Sequence, residues 1–227
     1  MARYDQVRVF RDEGTGTGRF NYDFGQDQLT IDEAETNLSP SAVGAWIDPS
    51  IGRVLQPFRF TDPPTIHVAG TVQLKHASAD VLRIRVDAQK PFAYQFDGWE
   101  IPFQQGSADL SLVGDEPTNL AVSGAMSVQG AKVSGSKFLG PLLTRLEPFG
   151  LREPLDSKLS FKLDLLSLRM TSWQIVSGTQ AVGLTGSVFF LGGLADFRGV
   201  VDSSPVSIRG GGTIDEPIWE LVSSLRK

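Results

Sequence analysis

The side chains best suited to chemistry are few in this 227-residue chain, and they do not fall into a working pattern. The two histidines, His67 and His76, lie nine positions apart and outside a metal-ligand spacing such as His-x-x-x-His. His67 alternates with Ile66 and Val68, which turns it toward solvent. Cysteine is absent, which removes thiolate nucleophiles, disulfides and thiolate metal sites. A Gly-x-Ser-x-Gly elbow is absent too. Gly14-x-Gly16-x-Gly18 has the wrong spacing for a dinucleotide fingerprint and no helix follows it. Phe20, Tyr22 and Phe24 alternate after it, so the glycines read as a hairpin turn. Asp196, Asp202 and Asp215 stand near turns, where aspartate serves the backbone. A polysaccharide-active domain would need a carboxylate pair in a cleft lined by aromatics, and Trp46, Trp99, Trp173 and Trp219 are too scattered along the chain to judge one. The reading is therefore non-enzymatic, with no cofactor and no metal. The 21 basic and 26 acidic residues give a net charge of −5, and only Arg83 and Arg85 sit two apart on one strand face. Nucleic acid, which needs clustered cations, is not the expected partner.

What the sequence does carry is alternation. From Asp156 to Glu220 apolar residues recur at every second position. Leu159, Phe161, Leu163 and Leu165 share one face against Ser160, Lys162 and Asp164; Val182, Leu184, Val188 and Phe190 repeat the pattern, as do Val206 and Ile208. A period of two marks half-buried strands. Gly178, Gly192-Gly193 and Ser203-Ser204-Pro205 punctuate them as turns, and the segment reads as a meander of four or five strands. Upstream, Tyr4–Arg11, Gln28–Leu38, Ile66–Leu74, Asp80–Ala88, Ser107–Val113 and Asn119–Val128 read as further strands. Phe92–Phe96 and Trp99–Phe103 form a hairpin about Asp97-Gly98. Three short helices interrupt them. Ser39 caps one that starts at Pro40. Asp48-Pro49 restarts a second, through Ile51, Val54 and Leu55, and Phe138–Phe149 forms a third with an amphipathic Phe138, Leu139, Leu142, Leu143, Leu146 spacing. The third is expected to plug the sheet's concave face, with a membrane-touching lid as the other use of such a helix.

A weak repeat runs through the strands: His67–Val72, Ala121–Met126, Gly183–Val188 and Ser207–Gly210 each place a glycine on the apolar face. Such glycines mark bends or a close approach, so they serve either sheet coiling or a concave floor with room for an acyl chain. The fold class is thus mainly β: one domain over residues 1–227, a long coiled antiparallel sheet of about fifteen strands with a few short capping helices.

Three phrases resemble the C-terminal end of the bacterial AsmA-like superfamily, the TamB relatives. They are the helix core Phe138-Leu139-Gly140-Pro141-Leu142-Leu143, the hairpin from Gly186 to Gly199, and the closing Gly211-to-Trp219 segment. The phrase beginning Pro57-Phe58-Arg59-Phe60 is similar to that group as well. The resemblance implies a lengthwise apolar groove that holds phospholipid acyl chains and helps move lipid between inner and outer membranes, in the periplasm. It implies, as partners, envelope proteins or the rest of a longer, membrane-anchored parent chain. The start, Met1-Ala2-Arg3-Tyr4-Asp5, has no apolar signal region and no run reaches membrane-span length. Face alternation nominates Leu159, Phe161, Leu163, Val182, Leu184, Val188 and Phe190 as the groove floor. The rival expectation is a structural scaffold whose β core is closed and holds no ligand. A face open at its ends separates the first from the second.

Overall fold

The structure, a computed structural model, describes residues 1–11, 14–47, 52–53, 55–73, 78–96, 98–114, 121–202 and 204–223. His76, Asp97, Ser203 and most of the expected second helix lie outside these residues. So does the interruption at Asp115-Glu116-Pro117.

The described chain holds sixteen strands and two α-helices. Thirteen strands form one antiparallel sheet: β1 (Ala2–Arg11), β2 (Gly14–Asp23), β3 (Gln28–Thr36), β5 (Thr65–Gln73), β6 (Ser78–Ala88), β9 (Gln105–Gly114), β10 (Ala121–Ala131), β11 (Leu155–Leu163), β12 (Ser167–Ser177), β13 (Gln180–Phe189), β14 (Ala195–Val201), β15 (Val206–Gly212) and β16 (Pro217–Ser223), paired in that order. β4 (Phe58–Phe60), β7 (Phe92–Phe96) and β8 (Trp99–Phe103) form a separate three-stranded sheet. The helices are α1 (Pro40–Ile47) and α2 (Gly140–Leu146), the latter prolonged by a 3₁₀ turn over Glu147–Phe149. β1 and β16 are the edges of an open sheet. The mainly-β, long-sheet expectation is met, with six strands between Asp156 and Glu220 instead of four or five.

The long sheet has two unlike ends. At one, here the tight end, the strands join through short turns, including those at residues 24–27, 164–166, 190–194 and 213–216. At the other, the covered end, three connections run long. Residues 37–64 carry α1 and β4 between β3 and β5, residues 89–104 carry β7 and β8 between β6 and β9, and residues 132–154 carry α2 between β10 and β11. All three excursions return to pair with the strand they left, so the cover is interleaved with the sheet rather than appended to it. Register shifts between Ile31/Ala34, Ser160/Phe161 and Met170/Trp173 place an extra residue in one strand of each pair. Such bulges bend strands and add twist, which lets a sheet this wide coil.

Gly14, Gly16 and Gly18 do not form a turn. They lie inside β2, opposite Arg11, Val9 and Val7 of β1. Pairing on both sides, with β1 and β3, overrides glycine's local preference for turns. Gly18 leaves room there for the Phe20 ring two residues on. The predicted β7–β8 hairpin does form, yet it leaves the main sheet. Stacking of Phe60 on Phe92 (5.2 Å) and Phe92 on Phe103 (4.9 Å) gives the small sheet its own aromatic spine.

Candidate apolar trough

The registers align one face of the long sheet into apolar rows. The central row crosses all thirteen strands: Val7, Gly18, Ala34, Val68, Ile84, Leu110, Gly124, Phe161, Met170, Gly186, Phe197, Gly210 and Trp219, each opposite the next. It contains no polar side chain. The row beside it runs from Ile66 through Val86, Ala108, Met126, Leu159, Trp173, Leu184, Gly199 and Ile208 to Leu221, again without one. The opposite face carries the charge. There His67 Nδ1 lies 3.5 Å from Glu35, and Arg85 donates to Asp87 over 2.9 Å. The Asp87 hydrogen bond, helped by Asp87 and Asp109 charge, raises the Arg85 pKa. His67 is solvent-facing as its alternation requires.

The excursions cover this apolar face unevenly. Val43 of α1 packs on Ile66, Val68, Leu82 and Leu112. The small sheet sets Phe58, Phe60 and Phe103 against Phe92, Ala88 and Val128. Over β13–β16 most of this face is buried. Leu142, Leu143 and Leu146 of α2 are buried with Leu151, Val182, Leu184, Val188, Phe197, Ile208 and Trp219 in one cluster. Trp219 Nε1 donates to the Phe138 carbonyl at 2.9 Å, and the Phe138 ring meets Phe197 at 5.5 Å and Trp219 at 5.3 Å. α2 thus takes the plugging role.

Between these covers an apolar cavity of about 290 Å³ remains. Its floor is Met126 and Val128 of β10, Leu155, Ser157 and Leu159 of β11, and Met170, Trp173 and Ile175 of β12. Its walls are Phe58, Phe92, Tyr94, Ile101 and Phe103 of the small sheet and Leu142, Leu143 and Leu146 of α2. Polar groups are few and occupied or neutral. Ser157 Oγ accepts from Trp173 Nε1 at 2.8 Å, and burial pushes the Tyr94 phenol up from its ordinary value, so it stays protonated. The cavity therefore offers dispersion and desolvation to a ligand and no fixed charge. From Leu159 a half-buried strip (Phe161, Leu163, Leu168 and, across β9–β10, Leu110 and Val122) leads to the tight end of the sheet.

Of the seven nominated floor residues, Leu159 lines the cavity. Phe161 and Leu163 continue its face along the strip. Val182, Leu184 and Val188 share that face but are sealed at 0%, 2% and 6% exposure in the core under α2. Phe190 falls past the end of β13, begins a 3₁₀ turn and is 48% exposed. Alternation assigned the face correctly for the first six; it had no means of saying which part of the face an excursion covers. The walls from β4, β7 and β8 were missed. The signal was there in the alternating Phe92, Tyr94 and Phe96, but a hairpin period does not say which sheet a hairpin joins.

The repeat glycines also acquire a role. A Cβ on Gly210 would enter the Trp219 ring, and one on Gly186 would meet the Phe197 ring and the Asp196 carbonyl. At both positions a neighbouring strand's aromatic ring lies over the glycine. The space there is already filled, which is close approach rather than room for a ligand. Among the described residues there is no group of three or more His, Asp or Glu side chains suited to a metal, and no helix long and apolar enough to cross a membrane. Comparison with protein families, with curated proteins and with solved structures gives no match.

Proposed function

We propose that this chain is a non-enzymatic lipid-holding module. It shelters acyl chains on the apolar face of its sheet, and it works in the cell envelope on phospholipid passing between inner and outer membranes. The observation that carries the reading is the apolar row crossing thirteen strands without a polar side chain, with an apolar-lined cavity beside it. The AsmA-like phrases around α2, β13–β14 and β16 supply the envelope setting and, through it, the partners: envelope proteins or the rest of a longer parent chain. At about 290 Å³ the cavity is near the lower end of the ~300–1,000 Å³ of small-molecule sites. It suits part of one acyl chain, with the remainder along the half-buried strip and the head group in solvent. Each sheltered CH₂ contributes about 0.8 kcal/mol.

A second reading, a scaffold with a closed core, is favoured by one specific observation: Val182, Leu184, Val188, Phe197, Ile208 and Trp219 of β13–β16 are buried in one cluster with α2. The two readings differ in what the cavity does. Purified protein is expected to carry lipid seen by native mass spectrometry, or to take up a pyrene-labelled fatty acid. Leu159→Asp puts a carboxylate into the apolar floor, and Met126→Trp fills volume. Both positions are half-buried, so cooperative unfolding should persist while uptake falls about ten-fold or more, the cost of desolvating a charge or losing a few CH₂ contacts. Protein that neither carries lipid nor takes up the probe would leave the scaffold reading in possession.

A further inference from the structure

The tight end of the sheet carries an unusual concentration of exposed apolar side chains. Leu165 and Leu166 sit in the β11–β12 turn; Phe189, Phe190, Leu191 and Leu194 sit in or beside the β13–β14 turn. Leu166 is 72% and Leu191 88% exposed. The two turns are joined, since the Phe190 amide donates to the Leu166 carbonyl at 2.9 Å. Singly exposed leucines need no explanation, but six on two linked turns form a patch.

We infer that this double turn is a membrane-surface site, which seats the open end of the trough against a phospholipid bilayer. Three observations single out a lipid surface. The first is the backbone. Leu166 and Ser167 amides donate to the Asp164 carboxylate at 2.8 and 2.7 Å, Asp164 N donates to the Ser167 carbonyl at 3.0 Å, Phe189 N to Leu194 at 2.8 Å, and Ile214 N to the Gly193 carbonyl at 3.0 Å. With the amides of Asp164, Leu166, Ser167, Phe189, Phe190 and Ile214 already bonded, fewer donors are orphaned when the tip leaves water, which is what the acyl boundary demands. The second is charge. Directly behind the tip, on the polar face, Lys162 of β11 lies opposite Arg169 of β12. Asp164, whose carboxyl the Leu166 and Ser167 amides and then Arg169 hold below its ordinary range, offsets one of these two charges, and the remaining positive charge matches lipid phosphates. The two cations stand two to three residues from the turn, about 7–10 Å at strand rise, the depth to which interfacial apolar groups sink. The third is continuity: the half-buried strip from Leu159 through Phe161 and Leu163 runs out at Leu165. Asp215 and Glu216 on the neighbouring β15–β16 turn confine the contact to the leucine and phenylalanine turns. The inference takes its purpose from the lipid-holding reading, while its test is independent of it.

The chain has no cysteine, so Leu191→Cys creates a unique labelling site for an environment-sensitive nitrobenzoxadiazole group. With vesicles of phosphatidylethanolamine and phosphatidylglycerol the label should brighten and shift to the blue. The same label at Thr179→Cys, exposed in the β12–β13 turn of the covered end, should not respond. The double variant Leu166→Asp/Phe190→Asp, at exposed positions, should lower vesicle co-sedimentation about ten-fold or more, with fatty-acid uptake unchanged. A Leu191 label blind to vesicles, a double variant that sediments like wild type, or a label that responds to protein concentration without vesicles, as a self-associating patch would, each overturns the inference. Uptake without docking defeats the tip alone; docking without uptake defeats the lipid-holding reading and leaves the tip standing.

Discussion

Trp219→Ala is expected to destabilise the protein by about 4 kcal/mol, as for a large buried aromatic lost from a core. The ring is 2% exposed and sits against Phe138 and Phe197 at centroid distances of 5.3 and 5.6 Å. Its Nε1 donates to the Phe138 carbonyl, joining β16 to the segment that leads into α2, 81 positions earlier. Alanine removes the ring, leaves a cavity and orphans a carbonyl. Trp219→Phe keeps most of the apolar volume and loses the hydrogen bond, and should cost about 1–2 kcal/mol. Urea unfolding followed by circular dichroism measures both. Hydrogen exchange should show the loss concentrated in α2 as well as β16, because the same contact holds the cover down. An alanine variant within about 1 kcal/mol of wild type, close to what a surface substitution costs, would mean that β16 does not close this core.

Gly186→Val and Gly183→Thr, three positions apart on one strand, are expected to move stability in opposite directions. Gly186 faces the apolar side, where a Cβ would collide with the Phe197 ring and with the Asp196 carbonyl. A ring can turn; a paired backbone carbonyl in β14 cannot move without breaking the ladder. Overpacking against backbone should cost about 3 kcal/mol. Gly183 faces the other way and has nothing within 4 Å of its virtual Cβ. There a threonine restores strand propensity and removes unfolded-state entropy, a gain of about 0.5–1 kcal/mol. Thermal or urea midpoints decide it. Equal losses at both positions would show that these glycines are needed for backbone conformation rather than for the ring of the neighbouring strand.

Both substitutions bear on function through the same geometry. Where Phe197 and Trp219 fill the space above glycines, the apolar face has become core. Under α2 and the small sheet, beside Met126, Leu159 and Trp173, it remains a cavity. A trough and a closed core are two fates of one surface, decided by which excursion lies above it. The three long connections all leave the covered end, so the end that carries Leu165, Leu166, Phe190 and Leu191 has no excursion of its own among the described residues.

The sequence by itself determined the class of fold and the face of nearly every strand. Period-two alternation through Leu159, Phe161 and Leu163, and through Val182, Leu184 and Val188, is a local property, since successive side chains must point to opposite sides of a strand. The helix spacing of Phe138 to Leu146 likewise made α2 core-facing before any partner was known. Tertiary structure alone decided the rest. Gly14, Gly16 and Gly18 became strand because β1 and β3 flank them, a pairing no local pattern encodes. β7 and β8 left the sheet to wall a cavity, although their alternation would equally fit a place within it. Val182 was sealed and Leu159 was left lining a space, though both alternate alike, because burial depends on what crosses above a residue and that segment comes from elsewhere in the chain. Alternation is read between neighbours in sequence; cover is a contact between residues tens of positions apart, as between Phe138 and Trp219.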